Sequence, residues 1–275
     1  MRSFRVLRQI PGAGSLVLVG EAAGEGPPLV LLHGLSATRR NVVQGSRHLL
    51  RRGYRLIAYD ARGHGASDSA PRYRYADLVA DLEAVLADFD LERAPLVGSS
   101  MGAATAIAFA LEHPDRVPAL VQITPAYTGD PRSVDEGRWE RLATALERGG
   151  VDAFVEAAQP DGIPERWREA VRTATRQRME RHRHPDAVAR ALREVPGSML
   201  WEGLQPLERL DLPVLVVGSR DEADPMHPLA VAQEYARRLP RAELVVEEEG
   251  QSPLAWQGTR LSSAIGDFLE RVGYS

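Results

Sequence analysis

Gly98-Ser99-Ser100-Met101-Gly102 is preceded by the apolar run Ala94-Pro95-Leu96-Val97 and followed by Ala103-Ala104-Thr105-Ala106-Ile107-Ala108-Phe109-Ala110. The first run reads as a short buried strand and the last as a helix, so the five residues form a sharp strand-to-helix turn of the pattern G-x-S-x-G. Its glycines permit a strained backbone that lifts the Ser100 hydroxyl above the sheet edge. The turn also sets Ser100 at a helix N-terminus, where free N–H groups favour a developing negative charge. A serine so placed suits acyl transfer if a base is within reach, because its hydroxyl alone is a weak nucleophile.

Working outward, the chain alternates strand and helix patterns. Phe4 to Ile10 and Ser15 to Glu21 flank Pro11-Gly12-Ala13-Gly14 and read as an opening hairpin. Pro28 to Leu32 is a continuous apolar run, as a buried parallel strand requires. A helix-like stretch from Thr38 to Arg51, a strand at Arg55 to Tyr59, and helical spacing of Leu78, Leu82, Val85, Leu86 and Phe89 follow. After the turn comes a strand at Ala119 to Ile123. The alternation stops from 128 to 210, an Arg-rich, helix-patterned segment interrupted at Pro160, Pro164, Pro185 and Pro196. It resumes with a strand from Leu212 to Gly218, a helix from Pro228 to Leu239, a strand at Leu244 to Val246 and a last helix from Leu261 to Val272. The expected fold is α/β: a doubly wound, mostly parallel sheet formed by 1–127 and 211–275, with 128–210 inserted as a helical cap or lid.

Composition sets the outer limits. The chain has 275 residues, 44% hydrophobic and 26% charged, as in an ordinary soluble globule. A net charge of −4 favours neither nucleic acid nor an anionic membrane surface. Every basic residue is Arg and Asn41 is the only Asn, a codon bias rather than a binding signature. Without cysteine there is no disulfide, thiol nucleophile or thiolate metal site. No signal-peptide pattern opens the chain and nothing approaches the roughly 18 apolar residues of a membrane span, so a cytoplasmic location is expected. No phosphate loop, dinucleotide fingerprint or metal-spaced histidine pair is present, so neither cofactor nor metal is expected. The partner to expect is a small molecule; oligomeric state is left open.

Four motifs in order resemble the α/β-hydrolase superfamily over nearly the whole chain. They are His33-Gly34 after a buried strand; Asp60-Ala61-Arg62-Gly63-His64-Gly65-Ala66-Ser67-Asp68; the serine turn; and Gly218-Ser219-Arg220-Asp221. The resemblance implies Ser100 as nucleophile, the N–H groups of Leu35 and Met101 as the oxyanion hole, and Asp221 as the acid, with Asp224 as alternate acid. It implies histidine at position 251, where this chain has Gln251, which takes no proton near neutral pH. The segment Gly250 to Gly258 also lacks the Glu and later Pro of the family pattern, which favours divergence over a single substitution.

Another histidine must then serve as base, or the pocket binds without hydrolysing. Of the seven, His33 and His64 match residues that brace loops, while His48 and His113 read as solvated. His182 and His184 fall beside Arg178, Arg181 and Arg183, which reads as an exposed helix face. His227, six residues after Asp221, is the alternate base on the acid's own loop. Glu247-Glu248-Glu249 reads as a solvated acidic run. Trp139, Trp167 and Trp201 either line a pocket or pack the cap. The resemblance implies a small-molecule carboxylesterase or lactonase; the alternative is a non-hydrolytic homologue that binds a small molecule, or a lyase or cyclase using the same pocket.

Overall fold

The computed structural model describes residues 2–130, 134–159, 163–220, 224–249, 256 and 258–275. Eight strands form one sheet in the order β1-β2-β4-β3-β5-β6-β7-β8. The opening hairpin, β1 (Arg2–Ile10) and β2 (Gly14–Ala23), is antiparallel, and β2 also pairs antiparallel with β4 (Arg55–Tyr59). The remaining pairs, among β3 (Pro28–Leu32), β4, β5 (Leu96–Ser99), β6 (Leu120–Ile123), β7 (Val214–Gly218) and β8 (Ala242–Val246), are all parallel. The doubly wound α/β sheet expected from sequence is the one observed.

Alternation along the central strands decides which side chains face which helices. Val30, Leu32, Leu96, Leu120, Val214 and Val216 pack on one side with residues of α2 (Tyr75–Asp88), α3 (Met101–Glu112) and α7 (Leu229–Arg238). Leu29, Leu31, Val97, Val121, Leu215 and Val217 pack on the other with α1 (His48–Arg51) and α8 (Gly258–Arg271). Both faces are covered, which is why these strands read as unbroken apolar runs.

The chain leaves β3 toward β4 on one side and β5 lies on its other side, so the sheet order reverses there. In open α/β sheets a crevice opens beyond the carboxyl ends of the strands at such a point. Ser100 is the first residue after β5.

Between β6 and β7 lie α4 (Glu136–Ala157), α5 (Glu165–Met179) and α6 (Pro185–Gly197). They share a small apolar cluster of their own, including Leu142, Leu146, Phe154, Met179, Val188 and Leu192. The prolines act as punctuation: Pro164 precedes α5, Pro185 opens α6 and Pro196 sits in its last turn. Pro160 lies outside the described residues.

One expected helix is not continuous. Instead of running from Thr38 to Arg51, the segment has a single 3₁₀ turn at Arg39–Asn41 and the short α1. Gln44 and Gly45 adopt positive φ (48° and 70°), which breaks any helix between the two.

Candidate active site

Ser100 occupies a backbone conformation that L-residues avoid, φ 50° and ψ −110°, at the step from β5 into α3. Its N–H donates to the Ile123 carbonyl at 3.0 Å, which ties the turn to β6. Two glycines make the turn possible. A Cβ on Gly98 would stand 2.4 Å from the Gly102 carbonyl oxygen, and one on Gly102 would stand 2.3 Å from that of Leu32. Only residues without side chains let β5, α3 and β3 approach this closely. Strain of this kind persists only where the surroundings hold it, and it collects at functional sites.

The side chain that meets Ser100 is His227. Its Nε2 lies 2.9 Å from Ser100 Oγ, and its Nδ1 lies 2.7 Å from Asp224 Oδ2. With Asp224 ionised, Nδ1 carries the proton and donates to the carboxylate, which leaves Nε2 to accept from the serine hydroxyl. Asp224 and His227 share one turn after β7, closed by a backbone bond from His227 N–H to the Asp224 carbonyl at 3.3 Å. The Asp224 side chain keeps 42% of its surface accessible and His227 21%. Burial pushes the Asp224 carboxyl up, but the His227 ring and then the Arg178 guanidinium bring it below its ordinary value. Its charge is secure at neutral pH.

The other expected site residues fall in two groups. Leu35 and Met101 flank the serine: Met101 opens α3, and a Cβ on Gly34 would touch Ser100 Cβ at 3.4 Å, so the His33-Gly34-Leu35 loop lies against Ser100. Asp221 and Gln251 lie outside the described residues. The contact to Ser100 is thus made by the alternates, His227 and Asp224.

Three buried histidines brace the loops beside the serine. His33 donates from Nδ1 to the Gly34 carbonyl at 2.8 Å and accepts at Nε2 from Ala61 N–H at 2.9 Å. His64 donates from Nδ1 to the Arg62 carbonyl at 2.9 Å, and its Nε2 accepts from Ser36 N–H at 3.4 Å. His182, which follows α5, accepts at Nδ1 from Gly65 N–H at 2.9 Å and donates from Nε2 to the Ser36 carbonyl at 3.1 Å. Next to it, Arg183 N–H donates to the Gly65 carbonyl at 2.7 Å. Each ring uses one nitrogen as donor and the other as acceptor, which only the neutral form can do. Burial, reinforced by a neighbouring imidazole, holds His33 and His182 down at about 3, and burial lowers His64 too.

Two sequence expectations are corrected here. His182 is not on an exposed helix face; only 7% of it is accessible, because it plugs the gap between the Ser36 and Gly65 loops. Glu247 is not solvated either, with 1% accessible. Its Oε1 accepts from the Ser219 hydroxyl at 2.9 Å and from Arg220 N–H, and its Oε2 accepts from the Trp256 indole at 3.0 Å. Nothing in the local sequence separates Glu247 from its two neighbours. Its role follows from being the first residue past β8, pointing back beneath the end of β7.

The tryptophans of the insertion have packing partners. Trp201 stacks edge-on against Tyr127 at 5.0 Å and Trp139 packs on the α4–α6 cluster, while Trp167 lies under Arg166. Several arginines of the insertion pair with carboxylates, as Arg172 with Glu156, Arg176 with Asp152, and Arg193 with Glu140 and Glu147. Among the described residues, no group of three or more His, Asp or Glu could hold a metal ion, and no helix is long and apolar enough to cross a membrane.

The family model for the alpha/beta hydrolase fold matches residues 27–196. A putative 2-succinyl-6-hydroxy-2,4-cyclohexadiene-1-carboxylate synthase of Bacillus subtilis (strain 168) is 30% identical over 270 residues, covering 91% of this chain and 94% of its own. A thermophilic esterase from Thermogutta terrifontis, solved with malate bound, superposes with a TM-score of 0.81 at 26% identity over 99% of both chains. The enol-lactonase from Burkholderia xenovorans LB400 superposes with a TM-score of 0.75 at 22% identity over 96% of this chain and 99% of its own, a likeness of fold.

Proposed function

The chain belongs to the α/β-hydrolase fold family, and from that premise we propose that it is a serine hydrolase acting on ester-like bonds of small molecules. One observation carries this reading: the unbroken chain from Ser100 Oγ to His227 Nε2 and from His227 Nδ1 to Asp224, at 2.9 Å and 2.7 Å. Both distances are within hydrogen-bond reach, as a nucleophile, its base and the base's orienting acid require.

In this reading the Ser100 hydroxyl gives its proton to His227 Nε2 as Oγ attacks the carbonyl carbon. Asp224 stabilises the imidazolium without taking the proton. The N–H groups of Leu35 and Met101 receive the oxyanion; each such donor is worth about 10²–10³ in rate because the charge appears only in the transition state. As the carbon–oxygen bond breaks, His227 returns the proton to the leaving alkoxide. Water, deprotonated by the same Nε2, then attacks the acyl-serine and releases the acid.

His227 stands in for the histidine that the family pattern expects at 251. The three helices between β6 and β7 act as a cap over the crevice, joined to its rim through His182. The esterase and lactonase named among the relatives fit this chemistry, and no cofactor or metal is required by it.

Labelling with a fluorophosphonate probe tests the reading. The parent and Gln251→His should label, whereas Ser100→Ala and His227→Ala should not. Labelling that survives His227→Ala would reject His227 as the base. A parent that stays unlabelled and gains labelling only in Gln251→His would mean that Ser100 has no working base in the native chain.

A further inference from the structure

Among the described arginines of the insertion, Arg178 shares with Arg138 an Nε–H sealed from solvent without an acceptor. Arg178 lies one residue before the end of α5, four before His182, and its side chain is only partly exposed. Its terminal nitrogens bond to no described residue. The nearest influence of opposite sign is Asp224, close enough to act on the Arg178 charge yet neither hydrogen-bonded nor ion-paired to it. The Asp224 Oδ2 is already taken by His227. Burial works against the Arg178 charge and lowers its pKa, with Asp224 offsetting only part of that.

With Nε–H sealed and the side chain only partly exposed, the terminal nitrogens of Arg178 are left for water or a ligand to fill. An arginine serving simply as counter-ion to Asp224 would bond to it, as Arg172 and Arg176 bond to their carboxylates. The unused fork matches a carboxylate in size and geometry, with two parallel N–H···O bonds. A dianionic phosphate fits less well, because the Asp224 charge within reach repels a second negative charge.

We propose that Arg178 is the recognition point for a carboxylate on the substrate, so that this chain prefers ester-like bonds in anionic molecules over neutral ones. The proposal rests on Ser100, His227 and Asp224 forming the hydrolytic triad. The substrate's carboxylate enters no bond-making step; it pairs with Arg178 while the ester carbonyl faces Ser100.

The test compares p-nitrophenyl butyrate with mono-p-nitrophenyl glutarate, which carries a carboxylate at the far end of a similar acyl chain. The ratio of kcat/KM, anionic over neutral ester, should be above one for the parent. A hydrogen-bonded charge contact contributes about 10–150-fold in binding. Arg178→Gln should therefore lower the ratio by at least about tenfold, chiefly through KM of the anionic ester, and Arg178→Lys should restore part of it. An unchanged ratio overturns the proposal, whether both esters slow in proportion, as they would if Arg178 acted on Asp224, or neither slows. If the parent hydrolyses neither ester and takes no fluorophosphonate, the hydrolase reading fails by itself. Calorimetry with glutarate then decides for Arg178: binding lost in Arg178→Gln upholds the carboxylate site, and no binding to the parent overturns it.

Discussion

Glu247 and Ser219 are joined at 2.9 Å, carboxylate to hydroxyl, across the ends of β8 and β7. All three groups that bond to Glu247 are donors: the Ser219 hydroxyl, Arg220 N–H and the Trp256 indole N–H. An amide in its place would turn an NH₂ toward one of them. The Trp256 indole, facing that NH₂, would keep its bond to the Gly218 carbonyl at 2.8 Å, so Glu247→Gln should destabilise the fold by about 1 kcal/mol, the loss of one hydrogen bond. Because the Ser219–Arg220 segment leads into the loop of Asp224 and His227, serine labelling should also slow. Urea denaturation and labelling kinetics check both effects; a variant equal to the parent in both would remove Glu247 from any supporting role.

Asp224→Asn provides the sharpest test of which acid orients the base. In serine proteases the corresponding change leaves geometry intact but drops turnover by about 10⁴, because the imidazole takes the wrong tautomer. A fall on the order of 10³–10⁴ is expected in ester turnover here. Asp221→Asn, measured alongside, should do far less. If the two results are reversed, the acid is Asp221.

The three neutral histidines make stability depend on pH in a definite direction. His33 and His182 sit at about 3 in the folded protein and His64 is lowered, against about 6.5 when unfolded. Below 6.5 the unfolded chain binds protons that the folded chain refuses. Their contribution is whole above that value and is lost as pH falls toward 3. Each ring adds a slope of up to about 1.4 kcal/mol per pH unit in that window. Ordinary carboxylates are half-protonated only near 4.3, and Asp81, which burial raises, acts in the opposite direction, so a fall in urea midpoint between pH 7.5, 6.5 and 5.5 reports the histidines. A flat profile would refute the assignment, and His182→Gln should make the parent's slope shallower.

Arg62 grips Asp81 in a buried bidentate pair, with Nε–Oδ2 at 2.7 Å and Nη2–Oδ1 at 2.6 Å, and so fastens the Asp60–Asp68 loop to α2. Removing one partner strands the other in a dry site. Arg62→Met should cost about 3–5 kcal/mol, whereas the double change with Asp81→Leu should recover much of it. Thermal or urea denaturation of the two variants distinguishes this from a pair of independent losses.

The fold was open to reading because its signals are local. Pro28–Leu32 and Arg55–Tyr59 are strands at the residues where their apolar runs lie, and the Gly98–Gly102 turn carries its geometry in its own glycines. The interrupted helix near Gln44 was less visible, since a positive φ at a non-glycine residue leaves no compositional mark. Site residues divide the same way. Ser100, Leu35 and Met101 follow from motifs, while His227 could be named only as an alternate, because its contact with Ser100 spans 127 residues of chain. His182 and Glu247 looked solvated because charged neighbours surround them in sequence. Their burial comes from tertiary partners at Ser36, Gly65 and Ser219, which no local pattern announces.

Asp224 and His227, the proposed acid and base, stand three residues apart on one turn after β7. In the proposed reading they form a single unit, whose mutual register is set by local backbone rather than by the docking of two distant loops. A displacement of that turn would carry both groups away from Ser100 together. The nucleophile is accordingly either fully equipped or bare, and its reactivity should change in one step rather than fade by degrees.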